Sequence, residues 1–154
     1  MKESERIAEQ LRRAWEGEAW HGPPLKEILA GVTAQQAAAR PVAAAHTIWE
    51  IVLHIAAWEA IVLRRMGGET LIDVGEAVNW PPVRETSEAA WQGTQAALEA
   101  GNRKLREAIA QMSDERLRER VPGKQDSFYG ELHGIVQHDL YHAGQIALLK
   151  KALG

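Results

Sequence analysis

The sequence predicts an all-α protein built as a four-helix bundle, and three observations support this fold class. Four long segments carry apolar residues at the three- and four-residue steps of a helix, the connections between them contain proline and glycine breaks, and no segment shows sustained β alternation. The chain has 154 residues, of which 45% are hydrophobic and 25% charged, so it can bury a sizeable core. We predict one domain over residues 1–154, with a long crossover between the first and second long helices.

The first two long helices are predicted from their apolar spacing and their end signals. Residues 4–16 form the first helix, with Ser4 as the expected N-cap. The second covers residues 47–66, because Thr47 and Glu50 have the spacing of a capping box and a glycine pair follows the last apolar turn. The crossover between these helices is expected to contain only short helical turns.

The remaining elements follow from the same kind of evidence. The third helix is predicted from about Ser87 to residue 112, and the fourth from about residue 130 to residue 153. Within the first crossover, short turns are expected at residues 25–29 and 34–39. A second connection precedes the third helix and contains Trp80, an aromatic loop residue that we expect to cover a site or fill an interface.

Composition excludes several classes of function. The formal net charge of -3 lacks the basic excess that a broad nucleic-acid or membrane surface requires, so neither partner is expected. The chain has no cysteine, which excludes disulfides, thiolate metal sites and a nucleophilic cysteine. The N-terminal segment has no apolar signal region and no stretch is long enough to span a bilayer, so we expect a cytoplasmic protein.

Three histidines carry the strongest functional signal. His138 and His142 are four residues apart, so they share one face of the fourth helix, and that face is the apolar one. His54 lies on the apolar face of the second helix, one turn before Trp58. Imidazole is costly to bury unless its nitrogens find partners, and one divalent ion satisfies several rings together. We therefore predict a metal site on these three histidines rather than three separately hydrogen-bonded core residues.

The other polar candidates receive less weight. His21, His46 and His133 are not expected to bind the metal, since two lie outside the long helices and His133 is about 140° around the helix from the pair. Asp139 should face solvent or another helix. Glu50 could orient His54, but its capping-box position explains it without a metal.

Trp58 and Gln145 are the predicted substrate-binding residues. Trp58 is one turn beyond His54, and Gln145 lies on the histidine face with both donor and acceptor groups. Gln145 could equally orient a metal-bound ring. Three histidines leave a coordination position open, as in catalytic rather than structural zinc sites. Zinc and nickel are the expected ions, although cobalt, iron or copper would also suit imidazole ligands.

Two motifs carry a family resemblance. The segment His138-Asp139-Leu140-Tyr141-His142-Ala143-Gly144-Gln145-Ile146 resembles the His-x-x-x-His-x-Gly-Gln-Ile ending of the DinB-like (YfiT-type) metalloenzyme superfamily. The segment Thr47 to Glu59 resembles that family's second helix, which carries the other histidine. The resemblance covers nearly the whole chain. It implies a DinB-type bundle with one divalent metal on His54, His138 and His142, often as a homodimer.

The resemblance also implies a type of chemistry. Better-understood relatives are metal-dependent transferases or isomerases that use a low-molecular-weight thiol such as bacillithiol, mycothiol or glutathione, activated on the metal as a thiolate. We therefore expect a thiol S-transferase or related metal-dependent enzyme acting on a small thiol and an electrophilic substrate. Two alternatives share the same ligand set: a non-catalytic dimeric metal-binding protein of the stress response, and a metal-dependent hydrolase that uses bound hydroxide.

Overall fold

The computed structural model describes residues 1–154 and contains eight helices and no named β-strand. Four of the helices are long, and the other four have only four or five residues. In chain order the helices are α1 (Glu3–Glu16), α2 (Leu25–Leu29), α3 (Ala34–Ala38), α4 (Ile48–Met66), α5 (Glu76–Asn79), α6 (Glu88–Ala110), α7 (Asp114–Leu117) and α8 (Phe128–Ala152). The all-α prediction is confirmed.

The four long helices pack side by side. Helix α4 contacts both α6 and α8, and α1 also contacts both α6 and α8. This arrangement agrees with the predicted bundle. Helices α2 and α3 lie in the crossover between α1 and α4, where α2 contacts α1 and α8 and α3 contacts α4 and α6. None of the helices has the length and apolarity that a membrane span requires.

The helix ends show one error in the predictions. The capping box of α4 is confirmed, since the Thr47 hydroxyl accepts the amide N–H of Glu50 and the Glu50 carboxylate accepts that of Thr47. The prediction that Ser4 caps α1 is wrong. The helix begins one residue earlier, with Lys2 at the N-cap, and the Ser4 hydroxyl instead donates to the carbonyl of Met112, 2.8 Å away. A buried hydroxyl takes the partner that tertiary packing offers it.

The apolar interior is divided into two clusters. One cluster contains residues of α2, α3 and the first turns of α4, together with the last turns of α8. The other contains residues of α1 and α7, the end of α4 and the start of α8. Between them, α4, α6 and α8 contribute buried polar side chains. These side chains are His54, Glu59, Asn102, Asp139 and His142.

Two short helices were not predicted from the sequence. Helices α5 and α7 have only four residues each, too few to display an apolar period. Helix α5 contacts α4, and the connection that contains it brings Asn79 and Trp80 against the middle of α4. A connection for which the sequence predicted no helix therefore contributes side chains that pack against the centre of the bundle.

Candidate metal centre

The three predicted histidines meet between α4 and α8. His54 comes from α4, and His138 and His142 come from successive turns of α8. Their ring centroids are 4.5 to 4.9 Å apart, and one nitrogen from each ring lies within 4.8 Å of the others. His54 and His142 are buried, while 24% of the His138 side chain remains exposed. The cluster could therefore hold one metal ion.

Each ring has an oxygen near its Nδ1 atom. His54 Nδ1 lies 2.5 Å from the carbonyl oxygen of Asn79, and His142 Nδ1 lies 2.7 Å from Oε1 of Gln145. His138 Nδ1 lies 3.5 Å from Oδ1 of Asp139. Acceptors at Nδ1 favour the tautomer in which that nitrogen carries the proton and Nε2 carries the lone pair. The surroundings thus prepare the Nε2 atoms to act as ligands.

The Nε2 atoms of His54 and His138 provide a test of whether a metal fits. They lie only 3.0 Å apart. With both Nδ1 atoms protonated, two lone pairs face each other inside the protein, and this arrangement is repulsive unless a cation lies between them. A divalent ion would resolve this conflict, and three neutral imidazoles suit zinc, nickel or copper. The residues present therefore fit a metal ion.

Burial keeps these histidines neutral. Removal from water lowers the pKa of His54 to about 4 and that of His138 to about 4. Burial also lowers the pKa of His142, against the opposing effect of its hydrogen bond with Gln145. A ring must be unprotonated to bind a metal. All three rings are therefore ready to bind near neutral pH.

An aromatic cover closes one side of the cluster. The Trp80 ring stacks between two imidazoles, 3.5 Å from the His46 centroid and 3.8 Å from the His54 centroid. Trp80 was expected to cover a site or an interface, and it covers His54. The role of His46 was missed in the sequence, because nothing in its local pattern indicates what a distant loop will place beside it. His46 is half-exposed and is not one of the three clustered histidines.

The two residues predicted to contact substrate lie beside the histidines. Trp58 donates its indole N–H to the side-chain oxygen of Asn79 at 2.9 Å, and its ring centroid is 6.1 Å from that of His138. Gln145 accepts from His142, which is the orienting role that the sequence allowed as its alternative. The structure does not test whether either residue contacts a substrate. Glu50 serves the capping box, as expected, and it also pairs with Arg40, which was not predicted.

The remaining histidine predictions also agree with the structure. His21 is exposed, and His133 faces away from the cluster and packs edge-on against Tyr129. Neither belongs to the group that could hold a metal. Ligand assignment from helical spacing therefore separates the three clustered histidines from the other three.

A second polar group lies next to the histidines and was not predicted. Asp139 is buried and faces Glu59 of α4, so the solvent-facing alternative is wrong and the helix-facing one is correct. Asn102 of α6 donates to Glu59 at 2.6 Å. Burial raises the pKa of Asp139 to about 7, and burial next to Asp139 raises that of Glu59 well above its ordinary value. Burial therefore favours the protonated, neutral form of both carboxyls.

Two cavities flank the histidine cluster. The charged cavity, about 410 Å³, is bordered by Trp58, Arg65, Lys124, Glu131, Gly134 and His138. The apolar cavity, about 500 Å³, is bordered by Val42, Ile51, Trp80, Tyr141, His142 and Leu149. No residue lines both cavities. Each cavity reaches the cluster through a different histidine, so small molecules have two separate approaches to it.

A comparison with models of known families shows which superfamily this chain belongs to. The model of the DinB superfamily matches residues 21–146, which include all three clustered histidines. The chain belongs to the DinB superfamily. No curated protein and no solved structure matches it significantly. Membership of the DinB superfamily and the histidine geometry agree on a protein that could bind a metal at His54, His138 and His142.

Proposed function

We propose that this DinB-superfamily chain is a metal-dependent thiol S-transferase that binds one divalent ion on His54, His138 and His142. The observation that carries the proposal is the pair of separate cavities, one reaching the cluster at His138 and the other at His142. Two approaches to one centre would let a thiol and a second substrate reach it from different sides and meet there. A purely structural metal site would instead be closed by four protein ligands.

The residues around the three histidines have separate roles in the proposed site. The Asn79 carbonyl and Gln145 accept from Nδ1 of His54 and His142 and so orient these two rings, while Asp139 lies 3.5 Å from Nδ1 of His138. Trp80 stacks on His54 and excludes water from that side of the ring. A divalent ion bound there would lower the pKa of a thiol and favour the nucleophilic thiolate. Because His54, His138 and His142 are neutral, they would leave the positive charge of a bound ion uncompensated, which would favour an anionic partner.

The two cavities differ in the chemistry that they offer. The charged cavity carries two basic and two acidic side chains, those of Arg65, Lys124, Asp126 and Glu131. The apolar cavity is lined mostly by aliphatic and aromatic side chains. A polar thiol suits the first cavity, and an apolar electrophile suits the second. The proposed reaction joins them by attack of the thiolate sulfur on the electrophilic carbon.

The experiment measures thiol consumption by metal-loaded protein. Protein loaded with zinc or with nickel is mixed with monochlorobimane and with bacillithiol, mycothiol or glutathione. The thioether forms as chloride leaves, and the thiol proton passes to solvent. We expect turnover above background with at least one thiol, and loss of both metal and turnover in His138→Ala.

His133→Ala is the matched control. It changes a histidine of the same helix that lies outside the cluster, so both metal and activity should persist. If no thiol is consumed with any of these ions, or if His138→Ala retains turnover, the transferase proposal fails. A stoichiometric metal without turnover would support the non-catalytic binding protein.

A homodimer also remains a prediction. Two large apolar side chains of α8, Tyr141 and Leu148, are 67% and 69% exposed and lie two turns apart on the same helix face. A second copy packed against this face would cover both side chains. Sedimentation of the purified protein at several concentrations would reveal a dimer, and a monomer throughout would refute one.

A further inference from the structure

The apolar cavity, which reaches the cluster at His142, is lined without any lysine, arginine, aspartate or glutamate. Eight of its eleven lining residues are hydrophobic, among them Ile51, Trp80 and Leu149. A carboxylate or an ammonium group that entered this cavity would lose its water and gain no partner of opposite charge from these side chains. The ligand that fits the cavity is therefore uncharged and largely apolar.

The amide of Gln145 is held in one orientation beside this cavity. Its Oε1 atom lies 2.7 Å from Nδ1 of His142 and accepts the ring N–H there. Because the oxygen and the NH2 group of an amide point in different directions, the NH2 group of Gln145 is turned away from the ring. Nε2 of Gln145 makes no hydrogen bond within the protein and is not enclosed, so a ligand can reach it. Of the two cavities, Gln145 borders the apolar one.

The other polar groups of the apolar cavity already have a partner or are open to water. Nδ1 of His142 is bound to Gln145. The His46 side chain is 46% exposed, and its Nδ1 atom lies 3.4 Å from a carboxylate oxygen of Glu50. Tyr141 is 67% exposed, so water can satisfy its hydroxyl. The NH2 group of Gln145 is therefore the donor next to the cluster that is left for a ligand.

We propose that the apolar cavity binds an uncharged apolar molecule that carries a carbonyl group, and that Gln145 selects this molecule by donating an N–H to the carbonyl oxygen. The apolar part of the ligand packs against Ile51, Trp80 and Leu149. Binding depends on Gln145 and the cavity walls alone. That the bound molecule is the electrophile of a thiol transfer rests on the proposed function.

Gln145 thus has two roles that a variant can separate. Its Oε1 atom orients His142, and its NH2 group selects the ligand. Gln145→Glu keeps an acceptor for His142 and removes the donor, because an ionised carboxylate only accepts hydrogen bonds. Gln145→Leu removes both groups while nearly keeping the size of the side chain. A ligand preference that is lost in both variants therefore reports the donor and not the orientation of the ring.

The probes are propiophenone and propylbenzene, which differ only by a carbonyl group in place of a methylene group. Each is titrated into isotopically labelled protein, metal-free and zinc-loaded, while the backbone amide signals are followed by NMR. We expect a dissociation constant below about 1 mM for propiophenone. The signals of Ala44, Ala45 and Leu148, which line the apolar cavity, should shift. Those of Gly130 and Gly134, which line the charged cavity, should not.

The ratio of the two dissociation constants measures the hydrogen bond. Because propylbenzene is the more hydrophobic probe, the ratio is compared between proteins rather than read from the wild type alone. The preference for propiophenone over propylbenzene should fall at least about fivefold in both Gln145→Leu and Gln145→Glu, since the bound carbonyl then lacks its donor. Gln137→Glu is the matched control. It changes an exposed glutamine of the same helix outside both cavities, so the wild-type preference should persist.

The outcomes separate this inference from the proposed function. It is overturned if propiophenone does not bind, if its shifts map to the charged cavity, or if the preference is unchanged in Gln145→Leu or Gln145→Glu. An equal loss of preference in Gln137→Glu would also overturn it, because the effect would then follow the added charge. None of these results depends on thiol consumption. A preference that requires Gln145, found without any thiol turnover, would support the cavity assignment and reject the transferase.

Discussion

The histidine cluster and the neighbouring carboxylate cluster are both polar groups inside the same apolar bundle, yet they have opposite relations to solvent. The histidine cluster consists of His54, His138 and His142, and it borders both the charged and the apolar cavity. The carboxylate cluster consists of Glu59, Asn102 and Asp139, and none of these residues lines either cavity. Consecutive residues of α8, His138 and Asp139, belong to different clusters because they point about 100° apart.

The difference shows how a polar group in a protein interior can be assigned a role. The carboxylate cluster is closed to both cavities: Asn102 donates to Glu59 Oε1, burial raises the pKa of both carboxyls, and Glu59 Oε2 and Asn102 Oδ1 are buried without a partner. The histidine cluster has an oxygen near each Nδ1 atom and leaves the Nε2 atoms of His54 and His138 facing each other. A buried polar network that no cavity reaches is typical of a structural role. Converging lone pairs with access from outside are typical of a ligand site.

The largest expected effect is on metal content, which should fall when the histidine cluster is changed and stay the same when the carboxylate cluster is changed. His54→Ala, His138→Ala and His142→Ala should each abolish tight metal binding while the bundle remains folded. Asn102→Ala should retain stoichiometric metal but lose about 2 kcal/mol of unfolding free energy, because it removes a buried donor from Glu59. Elemental analysis and denaturant titration of the purified variants measure both quantities. Full metal occupancy in His142→Ala would refute the three-histidine site.

Acidification should weaken metal binding only at a lower pH than it would for histidines with an ordinary pKa. Burial lowers the pKa of both His54 and His138 to about 4, so protons compete with the metal only as the pH approaches that value. An unperturbed imidazole, with a pKa of about 6.5, would begin to compete near neutral pH. Metal affinity should therefore stay constant from neutral pH to about pH 5 and fall below it. Competition with a chelator measures this, and a steep loss of affinity between neutrality and pH 6 would contradict it.

Gln145→Leu should produce an intermediate effect. It keeps the size of the side chain and removes the acceptor for His142 Nδ1, so the ring loses its fixed orientation and tautomer. Loss of such an orienting partner costs about 10- to 100-fold in metal affinity. Gln145→Glu, which restores an acceptor, should bind at least as tightly as the wild type. Equal metal affinity in the wild type and both variants would mean that Gln145 does not orient His142 for metal binding.

The smallest expected effect belongs to the carboxylate cluster. Burial raises the pKa of Glu59, so the folded state holds a proton that the unfolded state releases above about pH 4.3. Unfolding free energy therefore falls as the pH rises from that value towards the folded pKa. Glu59→Gln keeps an acceptor for Asn102, supplies a donor to Asp139 and removes this pH dependence at Glu59.

The measurement is denaturant unfolding of metal-free protein at several pH values. The gain of Glu59→Gln over the wild type at neutral pH should be about 1.4 kcal/mol for each unit by which the pKa of Glu59 is raised, up to the working pH. At pH 4 the two proteins should have nearly the same stability. A gain that is independent of pH would mean that ionisation of Glu59 is not its cause.

Much of this structure could be predicted from local patterns. Long helices repeat their apolar period several times, and residues such as Thr47 and Ser87 mark their starts through hydrogen bonds to the nearby backbone. The three clustered histidines could be found because helical spacing places them on apolar faces. Each of these signals depends on neighbours within a few turns of the chain.

The parts that the sequence did not reveal depend on distant contacts. Asn79 reaches His54 from 25 residues away, and the Asn102–Glu59 bond joins residues 43 apart. Ser4 was misassigned for the same reason, because its partner Met112 lies 108 residues away, just beyond the end of α6. No local period records such pairs. The two cavities likewise exist only where separate elements fail to fill the space between them.

Trp80 gives the cluster an optical readout. Its ring is stacked 3.8 Å from that of His54, so we expect its fluorescence to respond to an ion that binds His54. Ions with unpaired electrons, such as Cu²⁺ and high-spin Ni²⁺, quench nearby indole emission, whereas Zn²⁺ has a closed shell and lacks this effect. A difference spectrum between the wild type and Trp80→Phe isolates this one ring from the other five of the six tryptophans. The emission of Trp80 can thus distinguish an ion with unpaired electrons from a closed-shell ion without any added label.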